Sequence, residues 1–184
     1  MSKKSIIDFL ENQPFINNDK TEIVEYSHLN NIPYLNTDLV RYRNTYFSWF
    51  HNGKDYHEVS SEKLIHQLND ENVVVKELLK NKPIILITFG TAYIYELQSS
   101  SQIVANCHKQ NSALFRKRKL TVEEITTPWK KWIKHVDAEF IFTVSPVRHL
   151  KDGLVENNVS KSTLILAVEE LISAFPDKST YFPS

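Results

Sequence analysis

Residues 83–89 read Pro83-Ile84-Ile85-Leu86-Ile87-Thr88-Phe89, and residues 140–145 read Phe140-Ile141-Phe142-Thr143-Val144-Ser145. Both are nearly continuous apolar runs without in-out alternation. That is the pattern of strands buried on both faces in a parallel sheet. Between them Thr121-x-x-Glu124 forms a capping-box signature. It opens a helical stretch with Val122, Ile125, Trp129, Trp132 and Ile133 apolar, which Pro128 is expected to kink or restart. After the second run, Ser160 reads as the cap of a helix to about Ala174, with Leu164, Val168, Leu171 and Ile172 on one face. Thr180 to Phe182 reads as a short final strand. The alternation of helices with buried strands gives an α/β fold with right-handed crossovers.

Working toward the N-terminus, Ser60 or Ser61 is expected to cap a helix to Lys80, with Leu64, Ile65, Leu68, Val75, Leu78 and Leu79 as its buried stripe. Residues 45–58 carry Asn52-Gly53 between aromatic runs, the strongest short hairpin signal. Residues 12–44 are rich in Asn, Asp and Pro and read as a long loop with one strand, Ile23 to Tyr26. Residues 4–11 read as a short helix with Ile6, Ile7, Phe9 and Leu10 apolar. The expected organisation is one domain over 1–184, with an irregular region at 1–44 and an α/β core at 45–184.

Composition narrows the function classes. The 184 residues carry 22 basic and 22 acidic side chains, with only three glycines and one cysteine. Average usage would give glycine at ~7%. No Gly-x-Gly-x-x-Gly or Gly-x-x-x-x-Gly-Lys loop is present, so the usual phosphate cradles are excluded. Zero net charge argues against nucleic-acid binding by bulk electrostatics. One cysteine allows neither an intrachain disulfide nor a cysteine-rich zinc site. No run reaches the ~18 apolar residues of a membrane span, and the start does not read as a signal peptide. No cofactor or metal is expected.

In open parallel sheets, ligands bind outside the carboxyl ends of the strands. That rule selects the loop starting at Gly90-Thr91 and the loop Ser145-Pro146-Val147-Arg148-His149-Leu150-Lys151-Asp152-Gly153. Gly90 offers either an oxyanion-binding N–H or a strand-end turn. Arg148 and His149 offer an anion clamp and an acid–base imidazole, or a plain loop salt bridge and a solvated histidine. Alternating residues from Ala92 to His108 suggest a hairpin centred on Ser100, pairing Ala92 with His108 and bringing Asn106-Cys107-His108 back beside Gly90. Cys107 and His108 point to opposite faces of an extended segment and cannot be mutual partners. Cys107 is then a small buried residue. His51 and His57 lack a third ligand for a metal. The basic run Arg116-Lys117-Arg118-Lys119 suits a solvated or ion-paired face better than a phosphate site. Ser145 lacks the flanking glycines of a nucleophile elbow, and Pro146 has no N–H to offer an oxyanion.

The blocks Ile87-Thr88-Phe89-Gly90-Thr91-Ala92-Tyr93, Val104-Ala105-Asn106-Cys107-His108-Lys109 and Phe142-Thr143-Val144-Ser145-Pro146-Val147-Arg148-His149-Leu150-Lys151-Asp152-Gly153 resemble the GSCFA-domain family. So do Arg118-Lys119-Leu120-Thr121-Val122-Glu123-Glu124-Ile125 and Ser160-Lys161-Ser162-Thr163-Leu164. The resemblance covers 83–184, and more loosely 45–80. That family is similar to the SGNH-type serine hydrolases, which implies a three-layer α/β/α sandwich with a mostly parallel, flavodoxin-like sheet, incomplete here. It further implies ester hydrolysis, including of acyl groups on carbohydrate.

Two family features are missing. No Gly-Ser-Cys-Phe-Ala motif occurs, and the chain ends at Tyr181-Phe182-Pro183-Ser184, before the family's histidine block. The chain is therefore expected to be an internal portion that is inactive alone, without its nucleophile or general base. Ala92 stands where an SGNH hydrolase has its oxyanion asparagine, which leaves Asn106 or His108 as substitutes. Gly90, Thr91, Asn106, His108, Arg148 and His149 are the expected oxyanion and pocket residues. The substrate class is a small-molecule or carbohydrate ester. The alternative is a non-catalytic carbohydrate- or anion-binding module, with Trp49, Trp129, Trp132 and the tyrosines stacking sugars.

Overall fold

The computed structural model describes residues 33–51, 56–148 and 153–183. The readings for 4–11, Ile23–Tyr26, Asn52-Gly53 and His149 fall outside them. The described chain forms two compact units: one built from 79–94, 118–148 and 153–183, the other from 33–51, 56–78 and 95–117.

In the first unit, β4 (Ile84–Phe89), β8 (Glu139–Val144) and β9 (Ser179–Tyr181) form a parallel sheet in the order β4-β8-β9. The α/β class and the parallel pairing of the two apolar runs follow the sequence reading. β4 and β8 run in register from Ile84↔Glu139 to Phe89↔Val144. Helices α2 (Val122–His135) and α3 (Leu154–Ala174) pack side by side, joined by Thr126 and Lys130 of α2 to the Glu170 carboxylate. Trp129 meets Phe89 and Phe142 edge-on at 5.6 and 5.4 Å, and Trp132 meets Phe140 at 5.1 Å. Thr121 caps α2 with the full capping box, and the helix runs through Pro128 without restarting.

Three expectations change here. β4 is not buried on both faces: Ile85 and Ile87 are buried, but Ile84 and Leu86 are 66% and 40% exposed. β4 is an edge strand among the described residues, and α2 covers only one of its faces. Within the first unit α2 and α3 pack side by side, and no second helical layer lies over the sheet among that unit's described residues. Ser160 does not cap α3. That helix begins seven residues before the sequence reading, at Leu154, with Gly153 as N-cap at φ +95°. A Cβ at Gly153 would meet only the mobile carboxylate end of Glu156, so it is the backbone φ that requires glycine there.

The second unit is antiparallel. β1 (Leu39–Tyr42), β2 (Thr45–Ser48) and β3 (His57–Glu58) form one sheet, and β6 (Ile103–Val104), β5 (Tyr93–Leu97) and β7 (Phe115–Lys119) form another in that order. β1 lies inside the stretch read as loop. Its four residues are too few to show periodicity, and its turn is Arg43-Asn44, where Arg43 takes φ +56° instead of the usual glycine. β2 and β3 pair Tyr46↔Glu58 and Phe47↔His57 across the segment that holds Asn52-Gly53. Helix α1 (Ser61–Leu79) is capped by Ser60, whose Oγ accepts the Lys63 N–H at 3.3 Å. Leu64 and Leu68 of α1 enter a core with Tyr34, Trp49, Phe50, Tyr56, Val104 and Phe115. The basic run is strand β7, and it is ion-paired: Arg116 binds the buried Glu96 at 2.6 Å and Arg118 binds Glu124 at 2.7 Å.

All three tryptophans are buried, none more than 8% exposed, so they supply no sugar-stacking surface.

Candidate functional site

The carboxyl end of β4 runs into Gly90-Thr91-Ala92. The Ser145 N–H donates to Phe89 O at 2.9 Å, so the β4–β8 ladder is maintained up to this point. Helix α3 then fixes the turn through two adjacent side chains. Ser160 Oγ accepts the Ala92 N–H at 2.8 Å and shares a 3.1 Å hydrogen bond with Thr91 Oγ1. Lys161 Nζ donates to Gly90 O at 2.5 Å. Thr91 Oγ1 also accepts the Tyr93 N–H at 3.2 Å.

Gly90 is not glycine for either of the usual reasons. Its φ lies outside the left-handed region, and a Cβ there would meet nothing within 4 Å. The turn is open above it. The N–H groups of Gly90 and Thr91 have no hydrogen-bond partner among the described residues, whereas that of Ala92 is used by Ser160. Thr91 is an exposed residue. Two adjacent free N–H groups at a strand end can receive a negatively charged oxygen.

Beyond β8, Ser145 Oγ accepts the Val147 N–H at 3.3 Å, while Val147 and Arg148 are exposed. The structure thus brings Gly90 and Thr91 together with Ser160 and Lys161, two residues whose role the sequence reading missed. The Ser160–Leu164 block belongs to the family resemblance, but Ser160 looked like a helix cap because serine is a common one.

Asn106 and His108 belong to the second unit. The hairpin that leads to them pairs Tyr95↔Val104 and Glu96↔Ile103, within one residue of the expected register. The ladder then ends, because the Ala105 N–H turns to Trp49 O at 2.8 Å. Asn106 Oδ1 accepts the His108 N–H at 2.8 Å and shapes the local turn. His108 is buried and sits at φ +45° beside Lys109 at φ +58°. Its Nε2 lies 2.7 Å from Ser48 O. A carbonyl only accepts, so Nε2 carries the proton. The ring stacks on Phe47 at 4.9 Å. Burial pushes the imidazole below its ordinary pKa, against the Ser48 carbonyl bond that favours the charged form. These contacts make His108 an anchor of its own loop.

Cys107 is half-buried, and burial pushes its thiol up, away from the reactive thiolate. His51 is buried with Nδ1 2.8 Å from Ser48 Oγ, while His57 is exposed and stacks on Phe47. Among the described residues, no cluster of three His, Cys, Asp or Glu side chains could hold a metal ion, and no helix is long and apolar enough to cross a membrane.

The sequence profile of the GSCFA family matches residues 20–184. No curated protein and no solved structure matches the chain. The matched region takes in both strand-end loops and both residues of α3 that hold the Gly90–Ala92 turn, and on that match the chain belongs to the GSCFA family.

Proposed function

We propose that this chain is part of an SGNH-like hydrolase acting on acyl esters, including esters carried on carbohydrate. In this reading the Gly90 and Thr91 N–H groups receive the oxyanion of the tetrahedral intermediate, and Arg148 and His149 shape the substrate side. The nucleophile and general base come from outside these residues. Ser145 is unsuited to attack, since its N–H and Oγ serve the strand end and Pro146 follows it. The observation that carries the reading is the pair of Gly90 and Thr91 N–H groups without a partner among the described residues, at a turn where a Cβ on Gly90 would meet nothing within 4 Å. Donors set in advance toward a developing negative charge contribute ~3–4 kcal/mol of transition-state stabilisation each in acyl transfer. His108 is not assigned a donor role, because its Nε2 proton is engaged by Ser48 O.

The test is Gly90→Val. The backbone φ suits any residue and the Cβ meets nothing, so the fold should survive. The side chain nonetheless fills the space a ligand would need. Binding of methylphosphonate, a tetrahedral oxyanion mimic, is expected in the unsubstituted chain and lost in the variant. Equal binding by both would refute the assignment. The chain alone should not turn over a small aryl ester. Turnover abolished by His108→Ala or His149→Ala would overturn the division of roles.

A further inference from the structure

The amide that Thr91 offers belongs to the same peptide unit as the Gly90 carbonyl, and that carbonyl is held by an ammonium. Lys161 Nζ lies 2.5 Å from Gly90 O. A cation donating to a peptide oxygen draws electron density through the C–N bond. The N–H at the other end of that unit becomes more positive and a stronger donor. Ser160, one residue earlier on α3, binds the Ala92 N–H and Thr91 Oγ1, so the peptide on the far side of Thr91 is fixed too.

We propose that Lys161 and Ser160 are positioning residues: Lys161 polarises the Gly90–Thr91 peptide so that the Thr91 N–H becomes the principal oxyanion donor, and Ser160 fixes the direction in which that N–H points. The inference deepens the hydrolase reading and rests on it for the identity of the acceptor, an ester-derived oxyanion. The polarisation itself does not depend on that reading.

Three observations support it. Lys161 forms no ion pair among the described residues, so its charge is not neutralised by a carboxylate. Burial pushes its pKa below the ordinary lysine value, which marks an ammonium partly removed from water, where its field is less screened. Thr91 is exposed and its N–H has no hydrogen-bond partner among the described residues, so the strengthened donor is not taken up by another backbone group there. A lysine needed only to close the end of a strand would serve equally well on any peptide. This one sits on a peptide whose amide has no partner among the described residues.

The experiment is amide-resolved NMR on the whole chain with Lys161→Gln and Lys161→Met. Lys161→Gln retains an N–H donor but not the charge. In both variants the Thr91 amide proton should move upfield, more in Lys161→Met, with signals of α2 and the β8 core unchanged. Affinity for methylphosphonate should fall ~10-fold or more, and Lys161→Arg should restore most of both effects. An unmoved Thr91 signal in a folded Lys161→Met protein would overturn the proposal. Should both variants unfold, the wild-type Gly90 carbonyl carbon gives the same information. A shift well downfield of an ordinary extended glycine supports the cation contact, and an ordinary value refutes it. If the unsubstituted chain binds no methylphosphonate while the Thr91 shift still follows Lys161, the hydrolase reading fails and the polarisation stands.

Discussion

Removing the Ser160 hydroxyl tests whether α3 holds the strand-end turn. Ser160 Oγ accepts the N–H of Ala92, and both residues are buried. Ser160→Ala leaves that N–H without an acceptor and out of reach of water, which costs about 1–3 kcal/mol. Alanine is the better helix former and returns up to ~0.5 kcal/mol. The net loss should therefore be about 0.5–2.5 kcal/mol. Ser162→Ala on the same helix is the control. Ser162 is exposed, so that substitution gains the helix propensity and loses no buried hydrogen bond. The difference between the two variants isolates the hydrogen bond at about 1–3 kcal/mol. Urea denaturation followed by circular dichroism gives both values, provided the m-value is unchanged. If Ser160→Ala and Ser162→Ala differ by less than ~0.5 kcal/mol, the backbone turn does not depend on Ser160 and the account of the site is wrong.

His108 gives a pH signature. Its folded pKa is depressed, so the unfolded chain takes up the proton first as pH falls below its ordinary value of ~6.5. Stability should be unaffected by this group above that value and fall below it, by at most about 1.4 kcal/mol per pH unit until the folded pKa is passed. Comparing melting temperatures from pH 7.5 to 5 with those of His108→Gln checks it, and an identical slope in the two proteins counts against the anchor role. Glu96 is 1% exposed and bound by Arg116. Arg116→Met should cost about 2 kcal/mol or more by leaving a buried carboxylate without its cation, and Glu96→Gln in the same chain should recover part of the loss. Absence of recovery in that double-mutant cycle would contradict the pairing. Trp129→Ala, which removes the ring packed edge-on against the stacked Phe89 and Phe142, should cost about 3–5 kcal/mol and leave no cooperative unit around α2.

Much of the first unit was legible in the sequence because its signals are local. The two apolar runs gave β4 and β8, and Thr121-x-x-Glu124 gave the start of α2 to the residue. What failed depended on neighbours. Whether a run such as Ile84–Phe89 is buried on both faces is decided by what covers it, and the residues of β4 look the same at an edge as in a sheet centre. Ser160 illustrates the same limit at the site. Its chemistry as a hydroxyl near a helix was visible, but its partner, Ala92 N–H, lies 68 residues away in the chain. Lys161 was unreadable for the same reason, since a lysine on a helix is ordinarily solvated and nothing local reveals a carbonyl across the turn. Conversely, His108 read as a pocket residue because the expected hairpin register brought it back beside Gly90. Burial and stacking on Phe47 turned it into a structural residue. The glycines divide in a similar way: Gly153 is explained by its backbone, while Gly90 is explained by neither backbone nor packing, which is why the open space above it matters.

The central claim is that the Gly90–Thr91 turn receives an oxyanion, and a methylphosphonate titration of the isotopically labelled chain tests it most directly. The account predicts saturable shifts concentrated on the Gly90 and Thr91 amides, with the Ala92 amide, already bonded to Ser160, moving little. Shifts scattered over the surface lysines and arginines with those two amides unmoved would contradict it.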